Sequence, residues 1–496
     1  MEEGKRVIII AAVVLLSLVV IVSAKVLFFP LPSWEAEESD IAQRISEANE
    51  QKSEDEPEDP ENENYRDSKD EYPDENEVSE ETEKSEDKEE EPEEDLFTPI
   101  RLETPKPLYA IYMTSWVAGT PDIRSGLLEL VEETKVNAVV IDIKDETGRV
   151  SFGVEDEYLQ QIGSSQNRIP DLRDLIKKLN ERGVYVIGRI SVFQDPYLTG
   201  VWPDKAVRTA GGDIWRDRND LSWVDPGSER VWEYAAAIGW EAYEAGFDEL
   251  NYDYIRYPTD GRMDDMRMPI SEGREKSEVL EEFFAYLDEE FRKKTPEAPE
   301  RPIISADLFG MTTTNSDDLG IGQLLEKTFP YFDYIAPMVY PSHYPAGWHG
   351  IPDPDSSPYD TVYLSLQAAV ERAQAETAVI GTKDDEVVSQ QTEEELEEVA
   401  EVEGSEPSTE AESPIEIPET QQTEFYGPDS GDQLYDKEVY DPNIIRPWLQ
   451  DFDLGATYTP DMVRAQIDAT YDAGLDSWMI WSPSNDYSST REALRE

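Results

Sequence analysis

The sequence predicts an α/β fold, a (β/α)8 TIM barrel of eight parallel strands with covering helices, and three observations carry that prediction. An amphipathic helix ends at a glycine and runs straight into an apolar strand three times: Glu181-Arg182-Gly183 before Val184, Glu244-Ala245-Gly246 before Phe247, and Asp472-Ala473-Gly474 before Leu475. Glycine just past a helix takes the left-handed cap conformation, and buried parallel strands read as unbroken apolar runs. Strand and helix signals alternate from about Pro105 onward and yield eight strand candidates. No glycine-rich phosphate loop follows an early strand, which disfavours a doubly wound nucleotide-binding sheet.

Taken in order, Leu108–Trp116 is the first strand, and a helix opens at Pro121-Asp122, where an early acid suits the helix dipole. Ala138–Lys144 is the second strand. Pro170–Glu181 is a helix with Leu172, Leu175, Ile176 and Leu179 on one face, and Val184–Ile190 is the third strand. A long loop carrying Trp202, Trp215 and Trp223 leads to a helix at Pro226–Ala245 and the fourth strand, Phe247–Pro258. Then come a helix at Glu275–Lys294, strand five at Ile303–Phe309, a short helix at Ile321–Thr328, strand six at Tyr334–Tyr340 and a helix at Thr361–Ala375. Strand seven is Ile444–Asp451, followed by a helix at Pro460–Ala473 and strand eight at Asp476–Ser482.

Two stretches do not belong to the barrel. Glu35–Leu96 holds 30 acidic and 6 basic residues, and Asp384–Tyr440 holds 20 acidic residues against Lys437 alone. Both are rich in Glu, Ser and Pro and poor in apolar residues, the composition of disordered chain. The first, within residues 31–104, reads as an extended acidic linker, and the second, at about 380–440, as a loop insertion in the 105–496 barrel domain. Ahead of the linker, Val7–Ala24 contains only Ser17 and Ser23 as polar side chains, with Lys5 and Arg6 before it. Residues 1–30 therefore read as a transmembrane helix that leaves the barrel outside the cytoplasm as a single-pass membrane protein. A secreted protein with a signal peptide cleaved near Val22-Ser23-Ala24 is the alternative. A net charge of −69 excludes nucleic acid as a partner, and the lack of cysteine excludes disulfides and thiolate metal sites. Oligomeric state leaves no trace in the sequence.

In a (β/α)8 barrel, chemistry sits at the C-terminal ends of the strands. Those ends supply Trp116, Asp142, Arg189, Asn251, Asp253, Arg256, Asp307, Tyr340, Gln450 and Trp481. Acidic pairs flanked by aromatic rings suit sugars: carboxylates supply acid and nucleophile or base, and flat rings stack on the apolar sugar face. Asn251 and Asp253 alternate toward the barrel interior, with Arg256 as the expected ion-pair partner of Asp253. Asp307 comes from the neighbouring strand, completing a catalytic pair with Asp253. Asp142, Arg189, Asn251, Arg256, Tyr340 and Gln450 are expected to contact the substrate, although Lys144 faces the same way as Asp142 and competes for it. Trp116 and Trp481 are expected to stack on sugar. The two histidines, His343 and His349, lack a third clear ligand, so neither metal nor cofactor is expected.

With these strand ends in hand, Phe247–Pro258, Ser305–Gly310, Ala336–Pro341, Trp448–Phe452 and Ser477–Asn485 together resemble the bacterial glycoside hydrolase barrels of domain-of-unknown-function family 4015 over about Lys106–Tyr487. The resemblance implies a (β/α)8 barrel and a glycosidase acting on a polysaccharide or cell-envelope glycan. A weaker similarity links the chain to chitinase-type family 18 barrels, whose fourth strand ends Asp-x-Asp-x-Glu. Here Asn251 and Asp253 take the Asp places and Ile255 stands in place of the Glu, so substrate-assisted chitin cleavage does not carry over. The alpha-amylase-like pattern fits better, with Asp307 replacing the usual Glu on strand five. The alternative is a non-catalytic carbohydrate-binding or envelope-organising protein on the same scaffold.

Overall fold

The computed structural model describes residues 98–293, 301–380 and 433–495. The expected transmembrane segment, most of the acidic linker and the bulk of the insertion lie outside these residues. No helix among the described residues is long and apolar enough to cross a membrane.

Eight strands close a barrel: β1 (Tyr109–Met113), β2 (Ala138–Lys144), β3 (Tyr185–Ser191), β4 (Glu249–Asp253), β5 (Ile303–Phe309), β6 (Tyr334–Met338), β7 (Trp448–Gln450) and β8 (Trp478–Trp481). Each pairs in parallel with its sequence neighbours. The ring shuts where Tyr109, Ala110 and Ile111 of β1 meet Trp478, Met479 and Ile480 of β8. The covering helices are α1 (Pro121–Glu133), α2 (Leu172–Glu181), α3 (Glu229–Ala245), α4 (Lys276–Asp288), α5 (Leu325–Thr328), α6 (Pro358–Gln374), α7 (Pro460–Asp472) and α8 (Ser488–Ala493). The glycine junctions that announced the fold hold positive φ, 77° at Gly183, 120° at Gly246 and 88° at Gly474. A side chain would strain the chain there.

Period-two alternation divides the apolar residues into two cores. One lies between strands and helices and includes Leu250 and Tyr252 of β4 and Ile304, Ala306 and Leu308 of β5. The other fills the barrel, with Leu108, Ala110, Tyr112, Val140, Tyr185, Ile187, Trp448 and Met479. The interior also holds charge: Arg446 Nη2 meets Glu249 Oε1 at 2.9 Å, both fully buried. That pair occupies the lower half of the barrel, beneath the mouth.

Several strands are shorter than the sequence suggests. β1 stops at Met113, and Trp116 sits in a helical turn, Ser115–Ala118, whose first turn is capped by Thr114 Oγ1. β4 stops at Asp253, so Arg256 lies in the following loop. The linker ends earlier than expected. Arg101 donates to the carbonyls of Phe247 (3.0 Å) and Tyr243 (2.6 Å), and Leu102 N–H to Asp248 Oδ1 (3.0 Å), so this stretch docks on the N-terminal end of the barrel. The insertion narrows as well: Thr377–Ile380 pairs antiparallel with Gln433–Asp436. Its two ends therefore meet in the connection between α6 and β7.

Candidate active site

The site begins with β4, where Glu249, Asn251 and Asp253 share the inward face. Strand register sets their neighbours: Asn251 lies between Arg189 of β3 and Ser305 of β5, and Asp253 beside Ser191. The β4–β5 ladder runs to Tyr252 opposite Ala306, and one further step brings Asp253 beside Asp307. Adjacent strands lie about 4.8 Å apart, so the two carboxylates are near neighbours on the C-terminal rim. The residue after Asp253 is itself unusual. Tyr254 holds a φ of 51°, in the left-handed region, and its N–H donates to Asp253 Oδ1. A bulky residue in that conformation costs about 1–3 kcal/mol, and such strain collects at functional sites.

Arg189 organises the charges. Its Nη1 donates to Asp142 Oδ1 at 2.7 Å, while Nε (3.0 Å) and Nη2 (2.6 Å) both reach Asp253 Oδ2. Tyr112 donates its phenol to the other oxygen of Asp142. Burial alone would lower the Arg189 pKa, but Asp253 and Asp142 hold it well above its ordinary value, a fixed cation. The guanidinium also lies 4.8 Å from the Trp481 ring, which stacks on Tyr112 at 3.7 Å. Burial pushes Asp142 up to about 6 despite Arg189, with Asp145 adding to the rise.

Asp307 occupies the opposite environment. It is buried, and Oδ1 accepts from Trp448 Nε1 at 2.8 Å and Asn251 Nδ2 at 2.9 Å. Burial, then the negative charge of Asp253, lift its pKa well above the carboxylate range, and these outweigh the donors and Arg189. Tyr340 closes the same side, its phenol pKa raised by burial and by both carboxylates. The two carboxyl groups thus stand in different electrostatic surroundings, one ion-paired with Arg189 and one with its pKa raised well above the carboxylate range.

The structure brings Asp142, Arg189, Asn251, Asp253, Asp307, Tyr340 and Trp481 together and sets the other three apart. Trp116 stands on the rim, 40 % exposed, with the Arg168 guanidinium 4.6 Å from its ring. Arg256 does not pair with Asp253 as expected. It approaches exposed Asp260 at 3.6 Å and lies beside Trp223, and Arg189 takes its place because β3 delivers it from inside the barrel. Gln450 is buried with its amide engaged, accepting from Ser342 N (3.2 Å) and Oγ (3.0 Å) and donating to Phe452 O (3.0 Å). It supports the loops after β6 and β7. Lys144, expected to compete for Asp142, is turned aside by a register shift between them and pairs with Asp195 at 2.9 Å.

The sequence does not single out Tyr112 and Trp448. Tyr112 alternates with Ala110 on the inward face of β1, a signal available in principle. Trp448 is hidden because the apolar run of strand seven opens at Ile444, four residues before β7 begins. Among the described residues, no group of three or more His, Asp or Glu is placed to hold a metal ion.

No curated protein matches the chain. Among solved structures, a hypothetical protein from Ruminiclostridium thermocellum is similar at 34% identity, over 40% of this chain and 96% of its own, with a TM-score of 0.35. The glycoside hydrolase domain of PgaB (BpsB) from Bordetella bronchiseptica is similar at 14% identity, over 78% of this chain and 97% of its own, with a TM-score of 0.47. Alpha-L-fucosidase isoenzyme 2 from Paenibacillus thiaminolyticus is similar at 11% identity, over 78% of this chain and 48% of its own, with a TM-score of 0.45. A family model described as "Putative glycosyl hydrolase domain" matches residues 110–394 and 407–487, and on that match the chain belongs to domain-of-unknown-function family 4015.

Proposed function

We propose that this chain is a glycoside hydrolase that cleaves a polysaccharide or cell-envelope glycan with Asp307 as general acid and Asp253 as nucleophile. The observation that carries the reading is the pairing of these neighbours in opposite environments: Asp307 buried with a raised pKa, Asp253 joined to the fixed cation Arg189. Asp307 gives its proton to the glycosidic oxygen as the bond to the anomeric carbon breaks. Asp253 Oδ1, which accepts only the Tyr254 N–H among the described residues, keeps a lone pair for the oxocarbenium-like carbon, whereas Oδ2 is occupied twice by Arg189. Water then releases the sugar, with Asp307 now acting as base. Trp481 and the rim residue Trp116 offer rings for sugar faces.

A reducing-sugar screen over neutral, amino and acidic glycans, followed by proton NMR of the first-formed anomer, tests this reading. Release with retained configuration supports it. Release with inverted configuration removes the nucleophile role. The same saturation of Asp253 Oδ2 by Arg189 favours a second reading, a sugar-binding barrel without turnover, and glycan binding with no release would select it.

For location, Val7–Ala24 with Lys5 and Arg6 before it supports a single-pass anchor with the barrel outside the cytoplasm. Retention of the full chain in carbonate-washed membranes, together with its cleavage by protease added to intact cells, is the expected result. Recovery of a shortened chain from the medium would select secretion instead.

A further inference from the structure

Asp307 is held in a way its role as an acid does not by itself require. Both of its hydrogen bonds from protein arrive at one oxygen: Trp448 Nε1 and Asn251 Nδ2 donate to Oδ1, and Oδ2 has no protein hydrogen bond among the described residues. Indole N–H is a donor only, so its direction cannot reverse. Asn251 Nδ2 also donates to Ser305 Oγ at 3.1 Å, but a hydroxyl both donates and accepts, so the fixed direction comes from the indole. Trp448 is itself immobilised. It is fully buried on β7, its ring meeting Trp481 edge-on at 5.5 Å. A protonated carboxyl has one carbonyl oxygen and one hydroxyl oxygen, and the carbonyl oxygen is the better acceptor for two N–H groups.

We propose that Trp448 and Asn251 are positioning residues that confine the proton of the Asp307 carboxyl to Oδ2, so that the acid presents its O–H in a single orientation. The inference rests on the reading of Asp307 as general acid and adds the device that aims it. Without it the proton is shared between two oxygens, one of which is turned away from the bond to be cleaved.

The test uses the full chain with Trp448→Phe and Asn251→Ala, each checked for folding by circular dichroism; should one fail to fold, the other carries the test. Carboxyl carbon-13 NMR on aspartate-labelled protein, with the Asp307 signal assigned by its loss in Asp307→Asn, follows the titration directly. Each lost N–H had favoured the carboxylate, so the Asp307 midpoint is expected to rise in both variants, and the alkaline limb of kcat/KM to move to higher pH with it. Alkyl glycosides, which need the acid, are expected to lose about tenfold or more in kcat/KM, and dinitrophenyl glycosides, which do not, to lose much less. An unmoved or lowered midpoint in both variants overturns the proposal, as does an equal loss on alkyl and dinitrophenyl substrates. A wild-type chain that hydrolyses no glycoside while the variants still raise the midpoint removes the general-acid reading and leaves the proton placement standing.

Discussion

Arg189 serves two buried carboxylates at once, so its removal strands both. Arg189→Met is expected to cost about 3–5 kcal/mol, because uncompensated buried charge is worse than no charge. Urea denaturation checks this, and a loss under 1 kcal/mol would mean that the pair is solvated. Asp253→Asn is milder, since Arg189 keeps Asp142 at 2.7 Å. It is expected to abolish glycoside hydrolysis and to cost about 1–3 kcal/mol for the weakened hydrogen bonds. Inward positions such as Asp253, Asp307 and Arg189 were legible because strand alternation is local. Which cation met which acid was not, since that depends on a contact between strands 64 residues apart.

At the scale of single elements, two glycines make opposite predictions. Gly310 follows β5 three residues after Asp307, and a Cβ there would lie 2.3 Å from the Met338 carbonyl and 2.6 Å from the Tyr344 hydroxyl. Gly310→Ala is expected to cost about 1–3 kcal/mol through overpacking and to depress activity by displacing the end of β5. Gly126, within α1, has nothing within 4 Å of the point where a methyl group would sit, so Gly126→Ala is expected to stabilise by about 0.5–1 kcal/mol. Thermal melts separate the two. All eight strands were legible because each carries an apolar or alternating run in a regular succession with helical segments. Their ends were not. β1 and β4 are shorter than their apolar sequence suggests because the chain turns into the mouth loops while still hydrophobic, as at Trp116 and Ile255, whereas β7 loses residues at its start, just after the helical turn at Pro442–Ile444. The register shift between Asp142 and Lys144 likewise has no signature in AVVIDIK.

For the molecule as a whole, pH reports on the buried acids together. Asp142, Asp248 and Asp451 are each pushed up to about 6 by burial, and Asp307 is raised as well. In the unfolded chain such groups titrate at about 3.9, so between roughly pH 4 and 6 the folded state binds more protons. Their contribution to stability is complete below that window and is lost as pH rises through it. The melting temperature is therefore expected to be higher at pH 5 than at pH 7, and the reverse order would contradict the burial assigned to these groups. The acidic tracts were legible from composition, yet where the insertion joins the barrel was not. Only the pairing of Thr377–Ile380 with Gln433–Asp436 shows its ends side by side. Everything functional rests on Asp253 and Asp307 acting as a pair on one rim. The most direct test compares the wild-type chain, Asp253→Asn and Asp307→Asn on an alkyl and a dinitrophenyl glycoside of the sugar found by the screen. The account predicts no turnover of either substrate by Asp253→Asn, and for Asp307→Asn a loss of about 10²–10⁴-fold on the alkyl glycoside with formation of the glycosyl-enzyme largely retained on the dinitrophenyl one. Wild-type rates in either variant on the alkyl glycoside would contradict it.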